Sequence, residues 1–132
     1  MRLQEFEYHL NKFQIEYRRL KHVVFRTPYV YNYSYAMKYF VQDRDMEENI
    51  IPTIISGWDH TPRSGNKGLV LNNFTPEIFS EHIRSAFEAV KGKKNRIVFV
   101  RAWNEWAEGN HLEPDLKYGL RYLEAIKNNL EL

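Results

Sequence analysis

The chain has 132 residues, 43% hydrophobic and 15% aromatic, with 19 basic against 17 acidic side chains and a formal net charge of +2. That is one domain's length with enough apolar surface for a core, which excludes a disordered chain, and the charge is too balanced to imply a nucleic-acid partner. Cysteine is absent, so disulfides and thiolate metal sites are excluded, and no apolar run approaches the roughly 20 residues of a bilayer span.

The first element is a helix. Leu3, Phe6, Leu10, Phe13, Tyr17 and Leu20 recur at alternating spacings of three and four, one apolar stripe that is expected to pack on a sheet. The charged stretch Met1 to Leu10 has no apolar core of a signal peptide, so a cytoplasmic location is expected. His22 to Phe25 reads as a short strand stopped by Pro28. Tyr29, Tyr31, Tyr33, Tyr35 and Tyr39 then crowd together, either as stacking platforms for sugars or as a half-buried aromatic layer. Ser34 to Val41 reads as a short helix. Ile50, Ile51, Ile54 and Ile55 make a β-branched run expected to form a strand buried on both faces, with Pro52 as a blemish. A polar loop follows, from Gly57 to Asn66.

Thr75-Pro76-Glu77 starts a helix, with a capping hydroxyl, proline in the first turn and an acid at the positive end. Phe79, Ile83, Phe87 and Val90 are its buried stripe, and Gly92 can end it. The basic run Lys91-Gly92-Lys93-Lys94-Asn95-Arg96 reads as a solvated turn rather than a phosphate site. Ile97 to Val100 is a second buried strand, followed by a polar loop from Trp103 to Pro114. Asp115 caps a last helix whose apolar face is Leu116, Leu120, Leu123, Ile126 and Leu130. The order strand, loop, helix, strand, loop, helix implies an α/β fold with a parallel sheet and crossover helices. Both polar loops leave C-terminal strand ends, where such folds bind ligands, so both are expected to face one crevice.

The second loop carries Glu105 and Glu108 between Trp103 and Trp106. Two carboxyls that converge, one kept protonated and one ionised, are what glycoside chemistry needs, and flanking indoles supply apolar surroundings that separate their roles. Asn104 and Glu113 lie beside them as further candidate ligands. In the first loop, Trp58 and Asp59 can stack on a sugar and hold its hydroxyls with Arg63; the alternative is an Asp59–Arg63 pair that only braces the loop. His111 and His60 have no second histidine at ligand spacing, so no metal and no cofactor are expected.

The run Gly57-Trp58-Asp59-His60-Thr61-Pro62-Arg63, with Ala102-Trp103-Asn104-Glu105-Trp106-Ala107-Glu108-Gly109-Asn110-His111-Leu112-Glu113-Pro114-Asp115, resembles the WbsX-type family of lipopolysaccharide and polysaccharide glycosyltransferases. That family is similar to the endo-α-mannosidases of glycoside hydrolase family 99. Thr75-Pro76-Glu77, Lys117-Tyr118-Gly119 and Tyr122-Leu123-Glu124 extend the resemblance over roughly residues 30 to 130. It implies a (β/α)₈ barrel of about 250 residues, of which this chain is the C-terminal segment: an amphipathic helix over 1–22 and motif-bearing βα units over 23–132. It implies Glu105 as a base acting on the sugar's own 2-hydroxyl and Glu108 as general acid, in a retaining mechanism through a 1,2-anhydro sugar. Ala107 stands where the mannosidases commonly have histidine, which puts the substrate in doubt. The implied partner is an oligosaccharide or polysaccharide. A barrel segment with an open edge is also expected to associate with itself or with the missing part of the barrel. A sugar-nucleotide-dependent transferase and a non-catalytic carbohydrate-binding remnant are the alternatives.

Overall fold

A computed structural model describes residues 11–130 of the chain. Helix α1 spans Lys12–Phe25 and opens with a capping box: Asn11 Oδ1 accepts the Gln14 N–H at 2.8 Å, and Gln14 Oε1 accepts the Asn11 N–H at 3.3 Å. It ends at Arg26, which takes the left-handed conformation. The stretch His22 to Phe25 is therefore helix, not strand; the strand comes after Pro28, as β1, Tyr29–Asn32. Helix periodicity continuing from Phe13 overrides the local β-branched preference of Val23 and Val24.

Of the predicted α1 stripe, Leu3, Phe6 and Leu10 lie outside the described residues. Phe13, Tyr17 and Leu20 are exposed, Phe13 by 79%. The helix packs instead through Ile15, Arg18 and His22. Ile15 touches the core, the Arg18 guanidinium lies 4.5 Å from the centre of the Tyr31 ring, and His22 stacks on Tyr29 at 4.3 Å.

Tyr33–Ala36 forms a single helical turn (α2) that continues into a 3-10 turn, Met37–Tyr39, close to the helix expected over Ser34 to Val41. Strand β2, Thr53–Ile55, is shorter than the isoleucine run, and Ile51 is exposed. Its consecutive residues point to opposite faces. Ile55 enters one core, with Tyr31, Tyr33, Ala36, Met37 and Leu71; Ile54 enters a second, with Phe79, Ile83, Ala86, Leu112, Tyr122 and Ala125. β2 is thus the partition between two cores, as a strand buried on both faces must be.

Strand β3, Trp58–Asp59, the short helix α3, Thr61–Ser64, and strand β4, Leu69–Asn72, follow. β4 pairs with β1 in parallel and with β3 antiparallel, giving the order β1-β4-β3. Helix α4, Pro76–Val90, starts where Thr75 Oγ1 accepts the Ile78 N–H, and buries Phe79, Ile83 and Val90. It carries the chain to β5, Phe99–Arg101, which pairs with β2 in parallel, Thr53 opposite Phe99 and Ile55 opposite Arg101. Strand, helix and parallel strand follow in the predicted order. β5 itself is not buried: Phe99 is 56% exposed, Ile97 and Val100 are also open, and no described strand pairs with its other edge. The basic run after α4 is only partly solvated, because Lys93 is buried and its ammonium donates to the Ile50 carbonyl.

Helix α5, Arg121–Leu130, starts later than the sequence predicts. Asp115 Oδ1 accepts the N–H groups of Lys117 and Tyr118, and so caps a turn that precedes the helix. Leu116, Leu120 and Leu130 are exposed in consequence, and Tyr122, Ala125 and Asn129 face α4. The fold is mixed α/β with parallel strands in two separate sheets; the described residues close no barrel. No described helix is long and apolar enough to cross a membrane.

Candidate functional site

The chain after β5 folds back as a hairpin, β6 (Asn104–Glu105) and β7 (Asn110–His111), joined by a 3-10 turn over Trp106–Glu108. Gly109 ends that turn at φ +57°, a conformation glycine adopts without steric cost. Asn110, fully buried, fixes the base of the hairpin, where its Oδ1 accepts the Ala102 N–H at 2.9 Å. Across it, the Ser56 hydroxyl donates to the His111 carbonyl at 2.9 Å, which ties the end of β2 to the hairpin. Gly57 follows in the same tight seam. A Cβ there would meet the Phe74 ring at 2.8 Å and the Gly109 carbonyl at 3.0 Å, so only glycine lets the two loops approach this closely.

The two loops meet through charge. Arg63 Nη2 donates to Glu105 Oε1 at 3.2 Å, and Arg63 Nη1 lies 3.5 Å from Glu108 Oε1. One planar fork thus spans both carboxylates, a geometry that lysine cannot reproduce. His60 Nε2 is 3.5 Å from Glu108 Oε1, and its other nitrogen bonds the Ser64 hydroxyl at 3.1 Å. On the far side Arg101 Nη2 approaches Glu108 Oε2 at 3.6 Å, beyond hydrogen-bond reach, while its guanidinium lies over the Trp58 ring at 4.9 Å. Glu108 is 5% exposed, and its Oε2 is buried with no hydrogen-bond partner among the described residues. Glu105 is more open. The two acids therefore share one cation and differ in solvation.

Trp58 is half-buried, with His60 stacked near it at 6.1 Å. Asp59 does not brace Arg63: its Oδ1 accepts the Thr61 N–H at 2.9 Å and the Thr61 hydroxyl at 2.6 Å, a local turn that a short polar side chain closes more readily than a salt bridge four residues away. Trp103 and Asn104 are exposed. Glu113 Oε2 accepts the Trp106 indole N–H at 2.6 Å. His111, weighed above as a metal ligand, stacks flat on Trp106 at 3.8 Å and pairs with Asp115 at 3.3 Å. Burial acts to raise the Asp115 carboxyl, and the Tyr118 N–H, His111 and the Lys117 N–H outweigh it, holding it below the usual carboxylate range. Among the described residues no group of three His, Asp or Glu is placed to hold a metal ion.

Sequence reasoning missed Arg101 and the part played by His60. Neither has a local signal, because their partner Glu108 is remote in sequence from His60 and across a turn from Arg101.

A family model described as "Glycosyltransferase WbsX" matches residues 2–126. The chain belongs to the WbsX glycosyltransferase family. Similar proteins include two named "Uncharacterized protein WxcX", from Xanthomonas campestris pv. campestris strains B100 and ATCC 33913. Each is 34% identical over 96 residues, which cover 66% of this chain and 14% of the relative. The chain thus spans a small fraction of the length of these WxcX relatives. No solved structure matches.

Proposed function

We propose that Glu105 and Glu108 form the acid–base pair of a site that acts on glycosidic bonds. The observation that supports this reading best is Arg63, which reaches both carboxylates at once across the seam between the two family motifs. In this reading Glu105 takes the proton of a sugar 2-hydroxyl, and that oxygen attacks the anomeric carbon. Glu108 gives its proton to the departing oxygen. In the second half Glu108 removes a proton from water or an acceptor hydroxyl, which opens the 1,2-anhydro ring from the same face, and Glu105 returns its proton to the 2-oxygen. Configuration is retained, and no carbon–enzyme bond is needed. Arg63 holds the two carboxyls in register. Trp58, Trp103, Asp59 and Asn104 are the groups that receive the sugar at the acids, and Trp106, held by Glu113, extends the binding surface away from them.

The second reading is transfer from a sugar nucleotide. The family description favours it, and so do two guanidinium groups beside the acids, since arginine forks suit phosphate oxygens. In either case we place the chain as the C-terminal segment of a (β/α)₈ barrel working in the cytoplasm. The support for the barrel is the β2-α4-β5 unit and the apolar edge of β5 that no described strand pairs with. Incubating the intact protein with manno-oligosaccharides and, separately, with sugar nucleotides separates the two chemistries. Consumption of the oligosaccharide alone supports the first reading, and consumption of the nucleotide alone overturns it.

A further inference from the structure

Trp106 sits between the two acids in sequence but is held in a different setting. Its indole N–H is fixed by Glu113, and one ring face lies flat on His111, the planes 14° apart. His111 is clamped by Asp115, and Asp115 by the backbone of its own turn. This chain of contacts orients one side chain that remains 49% exposed. The ring is thus held in place on one face and open to solvent on the rest. Trp106 and His111 line a cavity of about 590 Å³, with Phe74, Tyr118, Asn73 and Lys117 around it. Arg63, Glu105 and Glu108 are not among its walls.

We propose that this cavity is a second sugar subsite, outside the acid pair, that takes one pyranose ring of an extended carbohydrate. The proposal rests on the carbohydrate reading above. Rings of Trp106, Phe74 and Tyr118 offer flat apolar surface to the C–H face of a pyranose, and Asn73 and Lys117 offer a polar rim to its hydroxyls. The volume is within the range of small-ligand pockets. Tyr118 is itself braced, edge-on to Tyr122 at 5.6 Å, with Lys117 4.7 Å above its ring. The subsite would hold a substrate unit at a fixed distance from the acids and so favour a chain over a single sugar.

The test is saturation-transfer NMR on the full 132-residue chain with a panel of methyl pyranosides (gluco, manno, galacto and rhamno). Trp106→Ala and Tyr118→Ala should each weaken binding about tenfold, a typical worth for one aromatic contact. Trp106→Phe keeps a ring and should recover most of the loss, which separates a missing platform from a misfolded hairpin. Binding that is unchanged in both Trp106→Ala and Tyr118→Ala would overturn the subsite and leave the acid-pair reading intact. Binding of none of the four glycosides would overturn it as well, and the oligosaccharide-consumption assay would then judge the acid pair separately.

Discussion

Arg63 is the residue on which the site's geometry turns, because one guanidinium faces two carboxylates from a loop 42 residues away from Glu105. Arg63→Lys keeps the charge and loses the fork. Its turnover should fall by about 10²-fold, the loss expected when catalytic groups are misplaced by about an ångström. Thermal unfolding should move little, since Arg63 is more than half exposed and exposed ion pairs contribute only about 0–1 kcal/mol. A variant with full turnover would remove Arg63 from the machinery. Gly57→Ala makes a different point. The added methyl collides with the Phe74 ring and the Gly109 carbonyl, so the seam should open and activity should drop with a loss of stability visible by thermal melt. At this scale the sequence was informative about residue types and silent about partners. The acids, the tryptophans and Arg63 stand out from their motif. That Asp59 turns to Thr61, and that His60 and Arg101 face Glu108, depends on how distant loops dock, which no local pattern encodes.

Helix α4 contains the element-scale liability. His82 is fully buried, neither ring nitrogen has a hydrogen-bond partner among the described residues, and Phe40 meets it edge-on at 5.4 Å. Burial pushes its pKa down from 6.5 to about 4. A base whose folded pKa is lowered resists protonation, so the unfolded chain binds the extra proton. Stability should therefore fall as pH drops from about 6.5 to about 4, by about 3 kcal/mol at the end of that window. His82→Leu removes the titrating group and should flatten that part of the urea-midpoint profile; an unchanged slope would contradict the assignment. Asp115, held below the usual carboxylate range, adds its own loss only at still lower pH. The elements themselves were legible where cap and stripe agree, as in α4, where Thr75, Pro76 and the Phe79–Ile83 face all point the same way. They were misread where a stripe was right about helix but could not say what covers it. Phe13, Tyr17 and Leu20 are on one face of α1, yet the helix docks through Ile15, Arg18 and His22. Asp115 was read as the cap of a helix, and it caps a turn because Gly119 intervenes at φ +57°.

For the whole molecule, the decisive feature is the open side of β5. Ile97, Phe99 and Val100 were read as buried, and they are exposed beside a strand edge that no described strand pairs with. Periodicity reports that a strand is built to be covered, and it does not report whether the cover is in the same chain. Such edges template pairing with other strands. The chain should therefore run larger than a monomer in size-exclusion chromatography at micromolar concentration, and Val100→Lys should shift it toward monomer. A parent that elutes as a monomer and unfolds in one sharp transition would contradict this.

The central claim is that Glu105 and Glu108 carry out the chemistry, with different roles. The most direct test is to assay Glu105→Gln and Glu108→Gln in the intact enzyme on an aryl glycoside and on an oligosaccharide. Both substitutions preserve shape, so binding should change much less than turnover. Glu105→Gln should impair both substrates alike by about 10²- to 10⁴-fold, because the 2-hydroxyl must be activated whatever leaves. Glu108→Gln should impair the oligosaccharide as severely and largely spare the aryl substrate, whose leaving group needs little protonation. The opposite pattern would reverse the roles, and full activity of both variants on both substrates would contradict the claim.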